Sequence, residues 1–196
     1  MGTRLLFALL VVGFPLALAL KIRAQRRALG RSPVVLGRAD QTALGRWFER
    51  VAPLSLVFWP ATWLWVVLGR APLREGGLRI VGVLLVAAGA ALSAWSIFAM
   101  GRAWRIGIDP ENRTELANEG PYRWIRHPIY GGWLVLLLGQ VLVVPHAVID
   151  VGALVTTAGV LAQALREERH LHRTFGARYA RYVEATGRFV PRLRRS

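Results

Sequence analysis

The chain has 196 residues, 54% of them hydrophobic, with eight Trp, a mean hydropathy of +0.38 and a formal charge of +15. So apolar a composition excludes one ordinary soluble domain and points to a single integral membrane domain over 1–196. The absence of Cys excludes disulfides, thiolate metal sites and a thiol nucleophile.

A hydrocarbon core of about 30 Å asks for roughly 20 apolar residues per helix. Segments near 3–20, 51–69, 79–100, 128–146 and 148–165 approach this length, which predicts an all-α bundle of about five transmembrane helices. The first segment has one basic residue before it, Arg4, and runs into Lys21-Ile22-Arg23 instead of a small-residue cleavage site, so it reads as a helix and not a signal peptide. Residues 21–50 then mix Arg with Leu29, Val34, Val35, Leu36, Leu44, Trp47 and Phe48, which suits an amphipathic piece lying in the interface or a basic linker. Pro15, Pro53 and Pro60 mark candidate kinks in the first two segments.

In the third segment Gly82, Ala87, Ala88, Gly89, Ala90, Ala91, Ser93 and Ala94 predict a small-residue face on which another helix can approach closely. Gly131 and Gly132 can do the same for the fourth segment, and Gly152, Ala153 and Gly159 for the fifth. Pro145 breaks the last hairpin. The connections over 70–77 and 145–150 are too short to host a site, and there is no internal repeat or low-complexity tract.

Basic residues are distributed unevenly among the loops. Residues 21–50 hold eight, 101–127 five and 166–196 nine, whereas 1–20 hold one and 70–79 three, so 22 fall on one side and four on the other. The positive-inside rule then expects the N-terminus outside and the C-terminus in the cytoplasm, in a bacterial-type inner or plasma membrane. Such a face attracts anionic lipid head groups, by about 1 kcal/mol per Lys or Arg, and accounts for the charge without nucleic acid. No obligate protein partner is inferred. The chain divides into 1–100, with helices one to three and the basic cytosolic loop 21–50, and 101–196, with helices four and five and a cytosolic C-terminal helical extension.

Ionisable residues gather at the cytoplasmic helix ends: Arg102, Arg105, Arg123, Arg126, His127, Arg166, Glu167, Glu168, Arg169, His170 and His172. Lone arginines there snorkel to the head groups. The adjacent carboxylates Glu167 and Glu168 are different, because a helical continuation of the fifth segment can point them back over the bundle. No metal site is expected: there is no His-x-x-x-His helix, and His170 and His172, two apart, do not share a helix face.

The block Gly120-Pro121-Tyr122-Arg123-Trp124-Ile125-Arg126-His127-Pro128-Ile129-Tyr130-Gly131 is followed by Glu167-Glu168, by Phe175-Gly176, Tyr179 and Tyr182, and by Arg188-Phe189-Val190-Pro191. In this order and spacing, over 101–191, it resembles the isoprenylcysteine carboxyl methyltransferase and phospholipid methyltransferase superfamily; 1–100 resembles it only in being apolar and of suitable topology. The resemblance implies an integral membrane enzyme that takes S-adenosylmethionine from the cytoplasm and methylates a lipophilic small-molecule or lipid acceptor. It also implies that Tyr122, His127, Pro128 and Tyr130 line the cofactor pocket, that Glu167 holds a polar part of the cofactor and that Glu115, Leu116 and Ala117 cover it. A carboxylate and aromatic faces suit a ligand with a sulfonium charge and an amino acid end.

Transfer needs alignment more than covalent machinery. A carboxylate or thiolate acceptor requires no base, and for an amine His127 or Glu168 is the nearest candidate. In the prenylcysteine enzymes an arginine one turn before the glutamate is expected to grip the acceptor carboxylate. Gln163 stands there in this chain, with Arg166 or Arg126 as the substitutes at hand. The acceptor, whether carboxylate, thiol, amine or phenol, stays open. Two alternatives share parts of the pattern: a sterol-reductase-like enzyme using NADPH, whose chains are usually longer, and a non-catalytic membrane scaffold.

Overall fold

A computed structural model describes residues 2–30, 32–35, 43–101, 104 and 116–192, with the side chains of 43–52 left aside. Six α-helices occur among them: α1 (Gly2–Leu29), α2 (Ala43–Val67), α3 (Gly77–Ala99), α4 (Pro128–Val143), α5 (Ala147–Phe175) and α6 (Ala177–Ala185), with a 3-10 turn at Gly120–Arg123 before α4. There is no strand among the described residues; Ile125 and Gly187 form an isolated parallel bridge. The fold is an all-α membrane bundle.

By length and composition α1, α3 and α5 suffice to cross a bilayer, while the apolar stretches Pro53–Val67 and Pro128–Val143 are shorter. The 16 residues of α4 rise about 24 Å, less than a hydrocarbon core. Its Gly131, Gly132, Leu136, Leu137, Gly139, Gln140 and Val143 are buried, so both ends lie against protein and not lipid. The basic stretch 21–50 is less of a loop than its composition implies: α1 continues to Leu29 and α2 starts at Ala43. The continuation of α1 has a use. Gln25, buried, donates from Nε2 to the carbonyls of Gly101 (3.1 Å) and Trp104 (2.8 Å), fastening α1 to the end of α3.

The closest helix pair is α3 with α4. Gly82 faces Gly139 and Gly89 faces Gly132, seven residues apart on each helix. A Cβ at Gly89 would lie 2.5 Å from Gly132 O and one at Gly139 2.6 Å from Gly82 O. Contact therefore rests on Gly82, Gly89 and Ser93. Ala87, Ala88, Ala91 and Ala94, expected on the same face, point outward, because the helical repeat brings only one of these rows to α4.

Phe7, Trp59, Trp63, Val86, Leu136, Val143 and Ile149 form the apolar centre. Phe14 meets Trp63 and Trp133 edge-on at 5.8 and 5.5 Å. The polar atoms of this centre satisfy one another. Trp63 Nε1 donates to Gln140 Oε1 (2.8 Å), Gln140 Nε2 to Thr62 Oγ1 (2.9 Å), and Trp59 Nε1 to Thr156 Oγ1 (3.1 Å), joining α2, α4 and α5. In hydrocarbon an unmade hydrogen bond has no water to replace it.

Gly89→Leu drives a side chain into the α4 backbone, an overpacking that costs at least ~2 kcal/mol. Melting of the detergent-solubilised protein is expected to fall by at least ~4 °C. Ala88→Leu, one residue away and facing outward, is expected to melt within about 1 °C of wild type.

Candidate active site

Three stretches of chain converge where α4 begins. Gly120 opens the 3-10 turn with φ +55° and lies so close to α3 that a Cβ would come within 2.8 Å of the Ala99 Cβ, so only glycine suits this turn. The turn leads through Trp124 to His127, and Pro128 takes the first helical position of α4, where a missing N–H costs nothing. From the other end of the chain, residues after α6 return beside this segment. Arg126 N donates to Gly187 O (2.8 Å), His127 N to Arg188 O (3.0 Å) and Gly187 N to Trp124 O (3.0 Å). At Gly131 a Cβ would meet Phe189 O at 2.9 Å.

The α5 helix runs past its apolar part and brings Gln163, Arg166, Glu167 and Glu168 under this pair of segments. Glu167 Oε1 accepts from Tyr130 OH (2.5 Å) and Gln163 Nε2 (2.9 Å), and its Oε2 lies 3.5 Å from His127 Nδ1. Gln163, 2% exposed, accepts in turn from Arg166 Nη1 (3.2 Å). Glu168 has a different set of partners. Arg188 grips it with Nε and Nη2 (3.0 and 2.6 Å), Arg126 Nε donates to it (3.0 Å), and His127 Nε2 lies 3.5 Å away without the alignment of a hydrogen bond. Arg126 continues through Nη1 to the carbonyls of Thr186 and Val183 at the end of α6.

The expected site residues thus separate by role. Tyr122, His127, Pro128, Tyr130 and Glu167 are neighbours in one buried nest, with Gln163 and Arg166 beneath Glu167. Glu168, a candidate base, has its carboxylate committed to two guanidinium groups, which makes it a structural anchor. No hydrogen bond or ring contact joins Leu116 or Ala117 to the nest among the described residues, and Glu115 lies outside them. Sequence reasoning gave no role to Arg188, Thr186 or Tyr182. The terminal Arg188-Phe189-Val190-Pro191 stretch carried a signal, but nothing local says that it pairs with residues 60 positions earlier. Tyr182 OH donates to Tyr122 O (2.7 Å) and so braces the 3-10 turn from α6.

Burial tends to keep the His127 ring neutral, but the close Glu167 and Glu168 carboxylates and their negative charge outweigh it and hold its pKa above the ordinary value. The ring stacks on Tyr130 with centroids 5.6 Å apart. Burial, with the Glu167 charge second, pushes the Tyr122 phenol far up; burial takes Tyr182 to about 12. These phenols are therefore neutral donors at working pH and not bases. Among the described residues three buried side-chain polar atoms have no hydrogen-bond partner: Tyr122 OH, Tyr179 OH and His127 Nε2. Buried polar groups without partners are rare and mark places where a ligand supplies them. Among the described residues no three His, Asp or Glu side chains converge as metal ligands do.

The part of the chain that builds this site also matches known proteins. A family model described as phospholipid methyltransferase matches residues 78–178, from α3 into α6. Protein-S-isoprenylcysteine O-methyltransferase A of Arabidopsis thaliana is 30% identical over 113 residues, which is 56% of this chain and 57% of that protein. Protein-S-isoprenylcysteine O-methyltransferase B of the same plant is 27% identical over the same length. The chain therefore spans little more than half the length of these curated relatives.

A histidine whose folded pKa exceeds its unfolded value of about 6.5 contributes stability that is complete below that value and is lost as pH rises through the folded one. The melting temperature of wild type over His127→Asn is expected to be largest near pH 6 and to shrink toward pH 9. A difference independent of pH would show that the ring is not held protonated between the two carboxylates.

Proposed function

The chain belongs to the phospholipid methyltransferase family, and from that premise we propose that it is an integral membrane methyltransferase that uses S-adenosylmethionine to methylate a lipophilic acceptor at the mouth of the α4–α5 nest. One observation carries the reading: the unpartnered, buried Tyr122 hydroxyl lies with His127, Tyr130 and Glu167 in a partly buried nest of three rings and one carboxylate. This donor set fits the cofactor. Its ammonium and sulfonium groups call for a carboxylate and for π faces, and its carboxylate and ribose oxygens call for donors.

When bound, the cofactor supplies an electrophilic methyl group for in-line displacement. The chain supplies everything that positions it. Glu167 offers the anion, kept in place by Tyr130 and Gln163. His127, clamped between two carboxylates and stacked on Tyr130, fixes the floor of the nest. Tyr122, braced by Tyr182 through its carbonyl, offers an O–H donor. The C-terminal segment paired with 124–127 excludes water from one side. Excluding water and aligning the reacting atoms supplies several kcal/mol of the barrier reduction.

A base is not built in. Glu168 is bound by two arginines, and the two carboxylates beside His127 favour its charged form over the neutral one a base needs, so an acceptor that arrives as an anion suits the site better than an amine. The curated relatives carry S-isoprenylcysteine O-methyltransferase names, hence methylation at an oxygen. An acidic lipophilic acceptor fits both facts. Gln163 stands where the resemblance implies a charged fork, and the buried Arg166 beside it is the cation that can take that place. The 22-to-4 distribution of basic residues supports a cytoplasmic location for the nest.

S-adenosylhomocysteine at 100 times its dissociation constant is expected to add about 2.7 kcal/mol, a shift of several degrees in melting, with NADPH giving none. Glu167→Gln is expected to abolish the shift while melting close to wild type in the absence of ligand. Stabilisation by NADPH alone would overturn the methyltransferase reading of the nest.

A further inference from the structure

At the opposite end of the bundle lies a second feature that the methyltransferase site does not use. The splayed ends of α1 and α3 and the connection before α3 enclose a cleft of about 450 Å³. Its polar wall is Thr3, Arg4 and Arg79, and its apolar wall is Leu73, Val83 and Leu84. α3 separates it from the nest: the cleft lies at its first turns, and the Gly120 turn packs on Ala99 at its last. The 23 residues of α3 rise about 34 Å between them.

The charge at this end needs an explanation. Only four basic residues of the chain fall on this side, Arg4, Arg70, Arg74 and Arg79, and each weakens the asymmetry that fixes topology. Arg74 is engaged within the protein, where its Nε donates to Leu142 O (3.2 Å) and its N to Val143 O (2.9 Å). Arg4 and Arg79 are different, since neither meets an acidic side chain among the described residues, and both border the cleft. Arg4 is also positioned, not free to wander. Its guanidinium lies against Gly69, where an added Cβ would come within 2.7 Å of Nη2 and φ is +70°. A long basic side chain seated on a glycine turn, with a second basic residue and several aliphatic ones lining the same cleft, supplies the groups of a head-group site with room for the first part of an acyl chain.

We propose that this cleft binds one anionic phospholipid, its phosphate between Arg4 and Arg79 and the start of a chain along Leu73, Val83 and Leu84. A zwitterionic lipid matches the aliphatic wall but carries no net charge for the two arginines. Free phosphate matches the arginines but not the wall. The lipid is a bound component of the outer end and not the methyl acceptor, since no residue of the nest is near it.

Native mass spectrometry of the detergent-purified full chain tests this with phosphatidylglycerol, phosphatidylcholine and inorganic phosphate at equal concentration. Phosphatidylglycerol is expected to be retained roughly tenfold more than phosphatidylcholine, and inorganic phosphate not at all. Arg4→Gln with Arg79→Gln is expected to bring phosphatidylglycerol down to the phosphatidylcholine level, while Arg4→Lys with Arg79→Lys keeps most of the preference. Val83→Trp, which fills the apolar wall and leaves both charges, is expected to reduce retention of both lipids. Equal retention of the two lipids by wild type, or undiminished preference in the double Gln variant, overturns the proposal.

Discussion

The Glu168 carboxylate ties together three stretches of chain that the backbone alone would leave apart. It belongs to α5, it accepts from Arg126 in the segment leading into α4, and it is gripped by Arg188 beyond α6. Arg126 reaches the carbonyls at the end of α6 with its remaining hydrogen-bonding capacity. Charged fork geometry of this kind fixes orientation as well as distance. Removing Glu168 leaves the buried Arg126 guanidinium without its carboxylate, a loss of about 3–5 kcal/mol for a buried pair, whereas the more exposed Arg188 contributes less. With Glu168 so engaged, its neighbour Glu167 is turned toward Tyr130, Gln163 and His127. Two adjacent carboxylates thereby face different partners, Glu168 holding the C-terminal segment in place and Glu167 standing in the nest proposed to take a ligand.

This clasp only works because the helices beneath it are set at close range. The glycine rows of α3 and α4 bring those backbones into contact, and the Trp63–Gln140–Thr62 and Trp59–Thr156 hydrogen bonds fix α2, α4 and α5 in one register. Rotation of α4 would break the Gln140 bonds in a setting without water to replace them. Its N-terminal turn, carrying Tyr130 and following His127, therefore stands at a fixed place over α5. Rigid supporting elements with locked side chains are what positioning chemistry requires.

Much of this was legible in the sequence because membrane physics is read from local composition. Apolar length gave the helices, and loop charge gave an expected orientation. The adjacent Glu167 and Glu168 pointed to the wet end of α5. Helix ends were less legible, since α1 and α2 extend into basic sequence where hydropathy no longer reports helix. The small-residue face of α3 was drawn too wide, because Ala is small on any face and only geometry shows that Gly82, Gly89 and Ser93 touch α4. Gln140 and the Thr156-Thr157 pair, polar residues in apolar runs, carry a signal that hydropathy alone does not use. The roles of Arg126 and Arg188 could not be read locally: an arginine at a helix end looks like any snorkelling one until the return of the C-terminal segment gives it a carboxylate.

Methyl transfer at a nest built by α4, α5 and the C-terminal return is the activity proposed for this protein. The most direct measurement is transfer of isotope-labelled methyl from S-adenosylmethionine by the protein reconstituted in vesicles that contain a prenylated or fatty acid acceptor. The account predicts label in a lipophilic, base-labile ester, and loss of at least ~90% of it in Glu167→Gln, in line with the removal of a charge-assisted contact. Equal labelling by Glu167→Gln, or label transfer that persists when the Arg126, Glu168 and Arg188 clasp is removed, would contradict it.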